Sequence, residues 1–219
     1  MDRVKYPRTR HLPNSPGASA DDVHLSDLTA LAAGEVVLTE KMDGENTTIG
    51  PGYVHARSVD SRPHESRAWV RALAGRLAPE LPTGMRVCGE NLYARHSIGY
   101  DRLPAYFLVF NIWQDDLCLD WDSTQEWADL LGLECVPLLY RGAFPGPEGL
   151  LGKWRTTRDS EHSEGFVVRT TRSFGREEFG THLAKWVRAR HVQTDRHWMS
   201  TQVIPNQVLV QPASSAPGS

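Results

Sequence analysis

Short runs of β-forming residues, each followed by a turn signal, recur along most of this chain and limit the folds that it can adopt. The pattern predicts strands at residues 36–38, 47–49, 53–57, 86–93, 106–113, 117–120, 135–140, 165–170 and 183–188. Helical periodicity is clearest over residues 63–77 and 122–131. Many short strands with so few helices argue against a doubly wound nucleotide-binding fold. We predict an α+β fold of largely antiparallel sheets flanked by a few helices.

The two ends of the chain differ in composition from its middle. Residues 7–22 are rich in Pro, Ser, Gly and Asp, so we expect residues 1–34 to form an irregular lead-in packed on the core. Residues 35–200 carry the strand and helix patterns and should form one folded domain. Residues 201–219 contain no aromatic residue, and we expect them to be a flexible tail.

Charge, cysteine spacing and hydropathy exclude several classes of protein. The formal net charge of -3 gives no overall basic field, so any nucleic-acid binding must use a local arginine-rich face. Three cysteines without Cys-x-x-Cys spacing favour reduced thiols over disulfides or zinc. No apolar run reaches the length of a membrane span. These features together predict a cytoplasmic protein that has no membrane partner.

A lysine lies in the run Glu40-Lys41-Met42-Asp43-Gly44-Glu45-Asn46, in a chain that otherwise uses arginine. Of the 24 basic residues, 4 are lysines and 20 are arginines. A lysine can lose its proton and act as a nucleophile, whereas an arginine in a protein stays charged. Because the run follows a predicted strand and contains the turn signal Asp43-Gly44, we expect Lys41 at a strand end beside a tight turn.

Further polar and aromatic residues follow Lys41 in short motifs. They are Arg57 in a short strand, Glu90 in Gly-Glu-Asn, Phe110 at the end of an apolar run, Glu164 in Glu-Gly-Phe-Val-Val, and Lys185 in a late strand. A phosphate loop of the usual kind is missing, since Gly152-Lys153 precedes Trp154 rather than Ser or Thr. A nucleotide would therefore have to be bound in another way.

The order of these motifs resembles the covalent nucleotidyltransferase superfamily of RNA ligases, DNA ligases and mRNA capping enzymes. The compact spacing and the asparagine after Lys-x-Asp-Gly are most similar to the RNA ligase 2-like family, over about residues 35–190. The resemblance implies a nucleotidyltransferase (ATP-grasp-like) fold, with residues 35–200 as the adenylyltransferase domain. It also implies ATP as the adenylyl donor and Mg²⁺ or Mn²⁺ as the metal.

By resemblance, Lys41 is the nucleophile that takes AMP from ATP. The attacking amine must be neutral, so its pKa is expected to be lowered. Lys185 would contact the α-phosphate and help keep Lys41 deprotonated by repulsion between like charges. Glu90 and Glu164 would coordinate Mg²⁺ or contact the ribose, since Mg²⁺ prefers hard oxygen ligands.

The resemblance also implies roles around the nucleotide. Glu40 would help to recognise adenine, and Asp43 and Asn46 would order the turn and its polar contacts. Arg57 would hold the ribose or the acceptor phosphate. Phe110 would stack on the base, with Phe107 or another aromatic residue as the alternative.

One motif departs from the family pattern. The last strand of the family usually carries Lys-x-Lys, but here Val187 stands two residues after Lys185. Either Arg188, Arg190 or Arg169 contacts the leaving phosphates instead, or adenylylation is slow.

The function predicted from these motifs is an ATP-dependent polynucleotide ligase, most simply an RNA ligase of RNA repair. AMP would pass from Lys41 to a nucleic-acid 5′-phosphate, and a 3′-OH would then displace it. The nucleic-acid substrate would be bound by an accessory protein or by core arginines, namely Arg62, Arg67, Arg71, Arg95, Arg102, Arg172 and Arg176. The alternatives are a DNA ligase, a guanylyltransferase, and a nucleotide- or RNA-binding module without turnover.

A metal site at His191, Asp195 and His197 is a further possibility, although a polar segment packed on the domain fits their spacing better.

Overall fold

A computed structural model describes residues 3–61, 63–159, 161–189, 191 and 203–209. Its strands are β1 (Arg10–His11), β2 (Glu35–Lys41), β3 (Glu45–Gly50), β4 (Tyr53–Ala56), β5 (Met85–Asn91), β6 (Phe107–Gln114), β7 (Leu117–Cys118), β8 (Glu134–Cys135), β9 (Leu138–Ala143), β10 (Gly165–Thr170), β11 (Phe174–Gly175) and β12 (Leu183–Val187). Its helices are α1 (Thr29–Ala32), α2 (Ala68–Leu77), α3 (Trp121–Leu130), α4 (Gly146–Thr157) and α5 (Phe179–His182), with 3₁₀ turns at Glu65–Arg67 and Arg176–Glu178. The α+β class predicted from the sequence is confirmed.

The first sheet has the strand order β1-β12-β10-β2-β9 and is antiparallel except for the β1–β12 pair. Side chains alternate between its two faces. One face carries Leu38, Phe166 and Trp186, which pack with Trp154 of α4 in an apolar core. The opposite face carries more polar side chains than the first and packs on the second sheet.

The second sheet has the order β11-β7-β6-β5-β3-β4, with β8 parallel to β6. Its core contains Leu73 and Leu77 of α2, packed against Val87, Phe107 and Ile112. Burial of these side chains fixes which face of β5 and β6 is covered and therefore which face remains free to line a site.

The run around Lys41 connects the two sheets. Strand β2 pairs with β10 and β9, whereas β3 pairs with β4 and β5, so the turn after Lys41 does not close a hairpin. A Cβ atom on Gly44 would lie 2.6 Å from the backbone oxygen of Asn91, so this close approach of two chain segments requires glycine. The predicted position at a strand end beside a turn is confirmed, and the turn leads from one sheet into the other.

Several elements differ from the sequence-based expectations. The lead-in contains strand β1, which pairs with β12, and the one-turn helix α1. Helix α4 was not predicted, and the strand expected at residues 135–140 is divided between β8 and β9.

Part of the expected tail is packed on the domain. Pro205 bridges to Ala94 and Val208 bridges to Leu103. Between them, the buried Asn206 donates to the backbone oxygen of Leu92 at 2.8 Å. Residues 210–219 lie outside the described part of the chain.

Among the described residues, no helix combines the length and the apolar character that a membrane crossing requires. Cys88, Cys118 and Cys135 are free thiols.

Candidate active site

A cavity of about 1350 Å³ lies between the two sheets and brings together the nucleotide-binding residues expected from the motifs. Its lining includes Glu40, Lys41, Asn46, Arg57, Glu90, Phe110, Glu164 and Lys185. These side chains come from five strands and from the ends of two others, so only the folded arrangement of both sheets assembles them.

Lys41 is the last residue of β2, and its ammonium is held by a carboxylate. Its Nζ donates a hydrogen bond to Glu164 Oε2 at 2.7 Å, and the two side chains are 23% and 4% exposed. Burial alone would lower the pKa of Lys41, but the charges of Glu164 and Glu90 outweigh it and raise the pKa. The lowered pKa expected for the nucleophile is therefore not found in this state, in which Lys41 is an ammonium ion.

Glu164 and Glu90 approach Lys41 from different sheets. Glu164 immediately precedes Gly165, whose backbone pairs with Lys41. Glu90 of β5 pairs with Asn46 of β3. Burial raises the pKa of Glu90 to about 8, even though Lys41 acts in the opposite direction. An acid cluster this crowded favours a bound cation, because added positive charge relieves both burial and repulsion.

The donor set fits a divalent cation. Ligand atoms of Asp43, Glu164 and His191 all lie within 4.8 Å of one another. His191 Nε2 is 3.5 Å from Asp43 Oδ1 and 3.7 Å from Glu164 Oε2. His191 thus lies beside the carboxylates of the site, whereas Asp195 and His197 lie outside the described residues.

Lys185 of β12 lies on the cavity face, two strands from β2. Its neighbour on β10 is Val167, which in turn pairs with Thr39. Burial, followed by repulsion from Lys41, lowers the pKa of Lys185 to about 8. The repulsion between the two lysines therefore favours deprotonation of Lys185, the reverse of what the sequence led us to expect.

Phe110 lies in the cavity wall, as expected for the stacking ring. Its ring is partly exposed and meets the Tyr6 ring edge-on, with centroids 5.3 Å apart. Phe107, the alternative, is 1% exposed and packs in the core against α2. Only Phe110 of this pair is in a position to contact a ligand in the cavity.

The other predicted residues differ in how firmly they are held. Glu40 is buried, and its Oε2 accepts a hydrogen bond from Arg158 Nε at 2.6 Å, a partner that the sequence did not suggest. Asn46 Oδ1 is buried and has no hydrogen-bond partner among the described residues. Arg57 is exposed at the cavity. An unsatisfied buried acceptor such as Asn46 Oδ1 favours a ligand that donates to it.

Two arginines considered for the leaving phosphates donate hydrogen bonds to other protein groups, although Arg169 borders the cavity. Arg169 is 2% exposed and donates to Asn111 Oδ1 at 2.6 Å and to the Leu119 oxygen at 2.7 Å. Arg188 Nε donates to the backbone oxygen of Ser163 at 3.0 Å. Both guanidinium groups stabilise the fold, and Arg190 lies outside the described residues.

The arginines proposed for substrate grip fall into three groups. Arg67 and Arg95 line the cavity, and Arg67 Nε donates to Glu45 Oε2 at 2.7 Å. Arg62 lies outside the described residues. The remaining four, Arg71, Arg102, Arg172 and Arg176, are not part of the described cavity lining.

The lead-in contributes cavity residues that sequence reasoning missed. Tyr6, Arg8 and Asp22 line the same cavity as Lys41 and Lys185. Their local sequence is typical of a loop, and a two-residue strand has no periodicity that would reveal its pairing. Nothing in the residue pattern therefore indicated that this segment reaches the site.

Comparison with known proteins identifies the family of the chain and solved structures with a similar fold. A family model described as RNA ligase matches residues 34–187. The fold is similar to that of an archaeal ATP-dependent RNA ligase, with a TM-score of 0.60 and 17% identity over 84% of this chain and 48% of that one. A putative ATP-dependent DNA ligase from Aquifex aeolicus gives a TM-score of 0.53 at 20% identity over 84% of this chain and 50% of that one. A variant RNA ligase from Naegleria gruberi, solved with ATP and Mn, gives 0.55 at 15% identity over 84% and 56%.

The chain spans about half the length of these solved structures. No curated protein matches it in sequence at a significant level.

Proposed function

The chain belongs to the RNA ligase family, and we propose that it is an ATP-dependent polynucleotide ligase that works through a covalent lysyl-AMP intermediate. The observation that carries the proposal is the arrangement of the cavity. A lysine amine lies between two carboxylates, with a second lysine, an aromatic ring and an unsatisfied amide oxygen on the same walls. These are the groups needed to bind a nucleotide and transfer its α-phosphate to an amine.

ATP would lie with its base against Phe110 and its phosphates toward the two lysines. A flat, partly exposed ring suits stacking on a base. Lys185 supports the α-phosphate, since it is a cation on the same face of the sheet as Lys41. The Asn46 amide oxygen would accept a hydrogen bond from the nucleotide, which gives this buried atom a partner.

Glu90 and Glu164, with Asp43, offer the hard oxygen ligands that Mg²⁺ or Mn²⁺ prefers, and a bound cation supplies charge neutralisation for the triphosphate. Glu164 then has to release its hold on the Lys41 ammonium. The raised pKa of Lys41 means that loss of this proton is the chemical problem the site has to solve before attack.

In the first step, Lys41 Nζ as the free amine attacks the α-phosphorus. An N–P bond forms, the bond from the α-phosphorus to the bridging oxygen breaks, and pyrophosphate leaves with the electron pair. The proton displaced from nitrogen goes to solvent. AMP would then pass to an RNA 5′-phosphate, and a 3′-OH would displace it to form the phosphodiester, each step depending on positioning and charge neutralisation.

The test is incubation with α-labelled ATP and Mg²⁺ or Mn²⁺, followed by a denaturing gel. Wild type should carry label and Lys41→Ala should carry none. Lys153→Ala is the matched control, because Lys153 is exposed on α4 and lies against the Tyr140 ring away from the cavity. Absence of label on wild type, or equal label on Lys41→Ala, would refute the covalent mechanism.

Two further comparisons separate the related functions. Unlabelled GTP should compete poorly with labelled ATP, whereas strong competition would favour a guanylyltransferase. Joining of nicked or broken RNA with 5′-phosphate and 3′-OH ends should exceed joining of DNA with the same breaks and ends.

We propose that any accessory protein acts at the substrate-binding step, so its addition should raise joining without raising self-labelling. The free thiols support a cytoplasmic location.

A further inference from the structure

The N-terminal lead-in packs on residue 187, the position at which the second lysine of the family motif is missing. Val187, on the same face of β12 as Lys185, is fully buried. Gly17 donates its backbone N–H to the Val187 oxygen at 2.9 Å, and a Cβ atom on Gly17 would lie 2.7 Å from the Val187 side chain. Ser15 Oγ accepts from the Val187 N–H at 2.9 Å. A lysine at residue 187 would have to displace this segment in order to reach the cavity.

The same segment brings an arginine to the cavity. Strand β1 runs parallel to β12 with His11 paired to Lys185, so the residues just before β1 reach the cavity beside the Lys185 strand. Arg8 lines the cavity, and its side chain is 48% exposed. It is accessible to a ligand, in contrast to Arg169 at 2% exposure.

Asp22 holds Arg8 in place. Arg8 Nη2 donates to Asp22 Oδ1 at 2.9 Å, and the Asp22 side chain is 7% exposed. Ser19 fixes the other oxygen, because its backbone N–H and its Oγ donate to Asp22 Oδ2 at 3.0 and 2.9 Å. A guanidinium group has five N–H donors, so this single bond leaves most of the fork for another acceptor.

Asp22 also interacts with the charge of Lys185. Burial alone would raise the pKa of Asp22, but hydrogen bonds from Ser19 and Arg8 and the charge of Lys185 hold it below its usual value. The Arg8 guanidinium bonds to this carboxylate, and the Lys185 charge also acts on it from the same cavity. One carboxylate near two cationic side chains leaves net positive charge for a polyanion.

On the basis of the proposed ligase function, we propose that Arg8 of the lead-in binds the β- and γ-phosphates of ATP, in the role that the second lysine of the last strand has in related enzymes. Arg8 would stabilise the charge that develops on the leaving pyrophosphate as the bond from the α-phosphorus to the bridging oxygen breaks. Arg57 and Arg95 are also exposed at the cavity, but Arg57 follows β4 and Arg95 follows β5, so both come from the second sheet rather than from the strand beside Lys185.

Binding without chemistry gives the first test. In a Lys41→Ala background, Arg8→Ala should weaken ATP binding by about 10- to 100-fold, the effect of losing a charge-assisted hydrogen bond, and leave AMP binding unchanged. Arg8→Lys should recover part of the ATP affinity. Arg155→Ala, which removes an exposed arginine on α4, is the matched control and should change neither. Equal loss for ATP and AMP, or no loss for ATP, would overturn the proposal.

Pyrophosphate gives the second test. With Lys41 intact, Arg8→Ala should slow labelling by ATP, and it should also slow the release of label from lysyl-AMP by added pyrophosphate. Asp22→Asn should slow both steps less, because it loosens Arg8 without removing it. If Arg57→Ala rather than Arg8→Ala slows the release of label by added pyrophosphate, the assignment to Arg8 is wrong. Failure of the wild-type protein to label would instead refute the ligase function, a result distinct from a change seen in the variants alone.

Discussion

The Lys41 ammonium should stabilise the fold, apart from the nucleophilic role proposed for the neutral amine, and Lys41→Met tests this. Methionine keeps most of the volume of the side chain but leaves Glu164, which is 4% exposed, without its cation. Unit charges 2.7 Å apart attract by roughly 6 kcal/mol at an effective dielectric constant of about 20. The cost of desolvating the two charges offsets much of this attraction, and solvent screens the lysine, which is 23% exposed. We expect Lys41→Met to lose about 2 kcal/mol of unfolding free energy at pH 7.

A double-mutant cycle measures this energy. Lys41→Met should lower the melting temperature by about 4 to 8 °C, and adding Glu164→Gln should recover roughly half of the loss. The deficit of Lys41→Met should grow between pH 5 and pH 8, because the Lys41 charge lowers the pKa of Glu90 and its loss lets that pKa rise further, so the folded variant loses more stability than wild type as pH rises. Lys153→Met, at an exposed site, controls for loss of a lysine. A Lys41→Met protein as stable as wild type, or purely additive costs in the double variant, would refute the electrostatic argument.

Three other predictions concern single residues. Gly165→Ala should cost more than about 2 kcal/mol, because its Cβ atom would collide with the Trp186 oxygen, whereas Gly152→Ala on an open helix face should gain up to about 1 kcal/mol; denaturant unfolding compares them. Glu90→Gln should gain stability relative to wild type as pH rises from about 4.5 to about 8, since folding raises the pKa of Glu90 across that window and the folded state then binds the extra proton. A constant difference across that range would contradict the assigned pKa. Arg169→Met should lose about 3 kcal/mol, because its buried hydrogen-bond acceptors are left unpaired, and an unchanged urea midpoint would show that they are not.

The sequence predicted the strands that build the site, because their cores follow simple patterns. The strand at residues 165–170 was predicted to the residue, and the strand predicted at 36–38 lies in the first half of Glu35–Lys41. Helix α4 was missed because its sequence contains three glycines and a proline, so local propensity opposes a helix. Burial of Leu150, Leu151 and Trp154 against the first sheet overrides that propensity.

The electrostatics of the site could be predicted only in part. Motif order indicated which residues meet, and the cavity contains all of them. It could not indicate which lysine takes the lowered pKa, because that depends on the carboxylate that each amine faces. Lys41 faces Glu164 at 2.7 Å, whereas Lys185 is buried with weaker compensation, so the two pKa values move in opposite directions. The part played by Arg8 depends on β1 pairing with β12, a contact between distant parts of the chain.

The segment around Asn206 is synthesised after the other described residues of the cavity wall, so the cavity is completed late in synthesis of the protein. Its side chain donates to the Leu92 oxygen and accepts from the Tyr100 N–H, each at 2.8 Å and across more than a hundred residues of sequence. The neighbouring Val203 and Ile204 form part of the cavity wall. A ribosome releases the chain from its N-terminus onward, so both sheets can pair before this segment emerges from the exit tunnel. A nascent chain should therefore pass through a stage in which Lys41 and its acidic partners are assembled around a pocket that is still open on the side of residues 203–209.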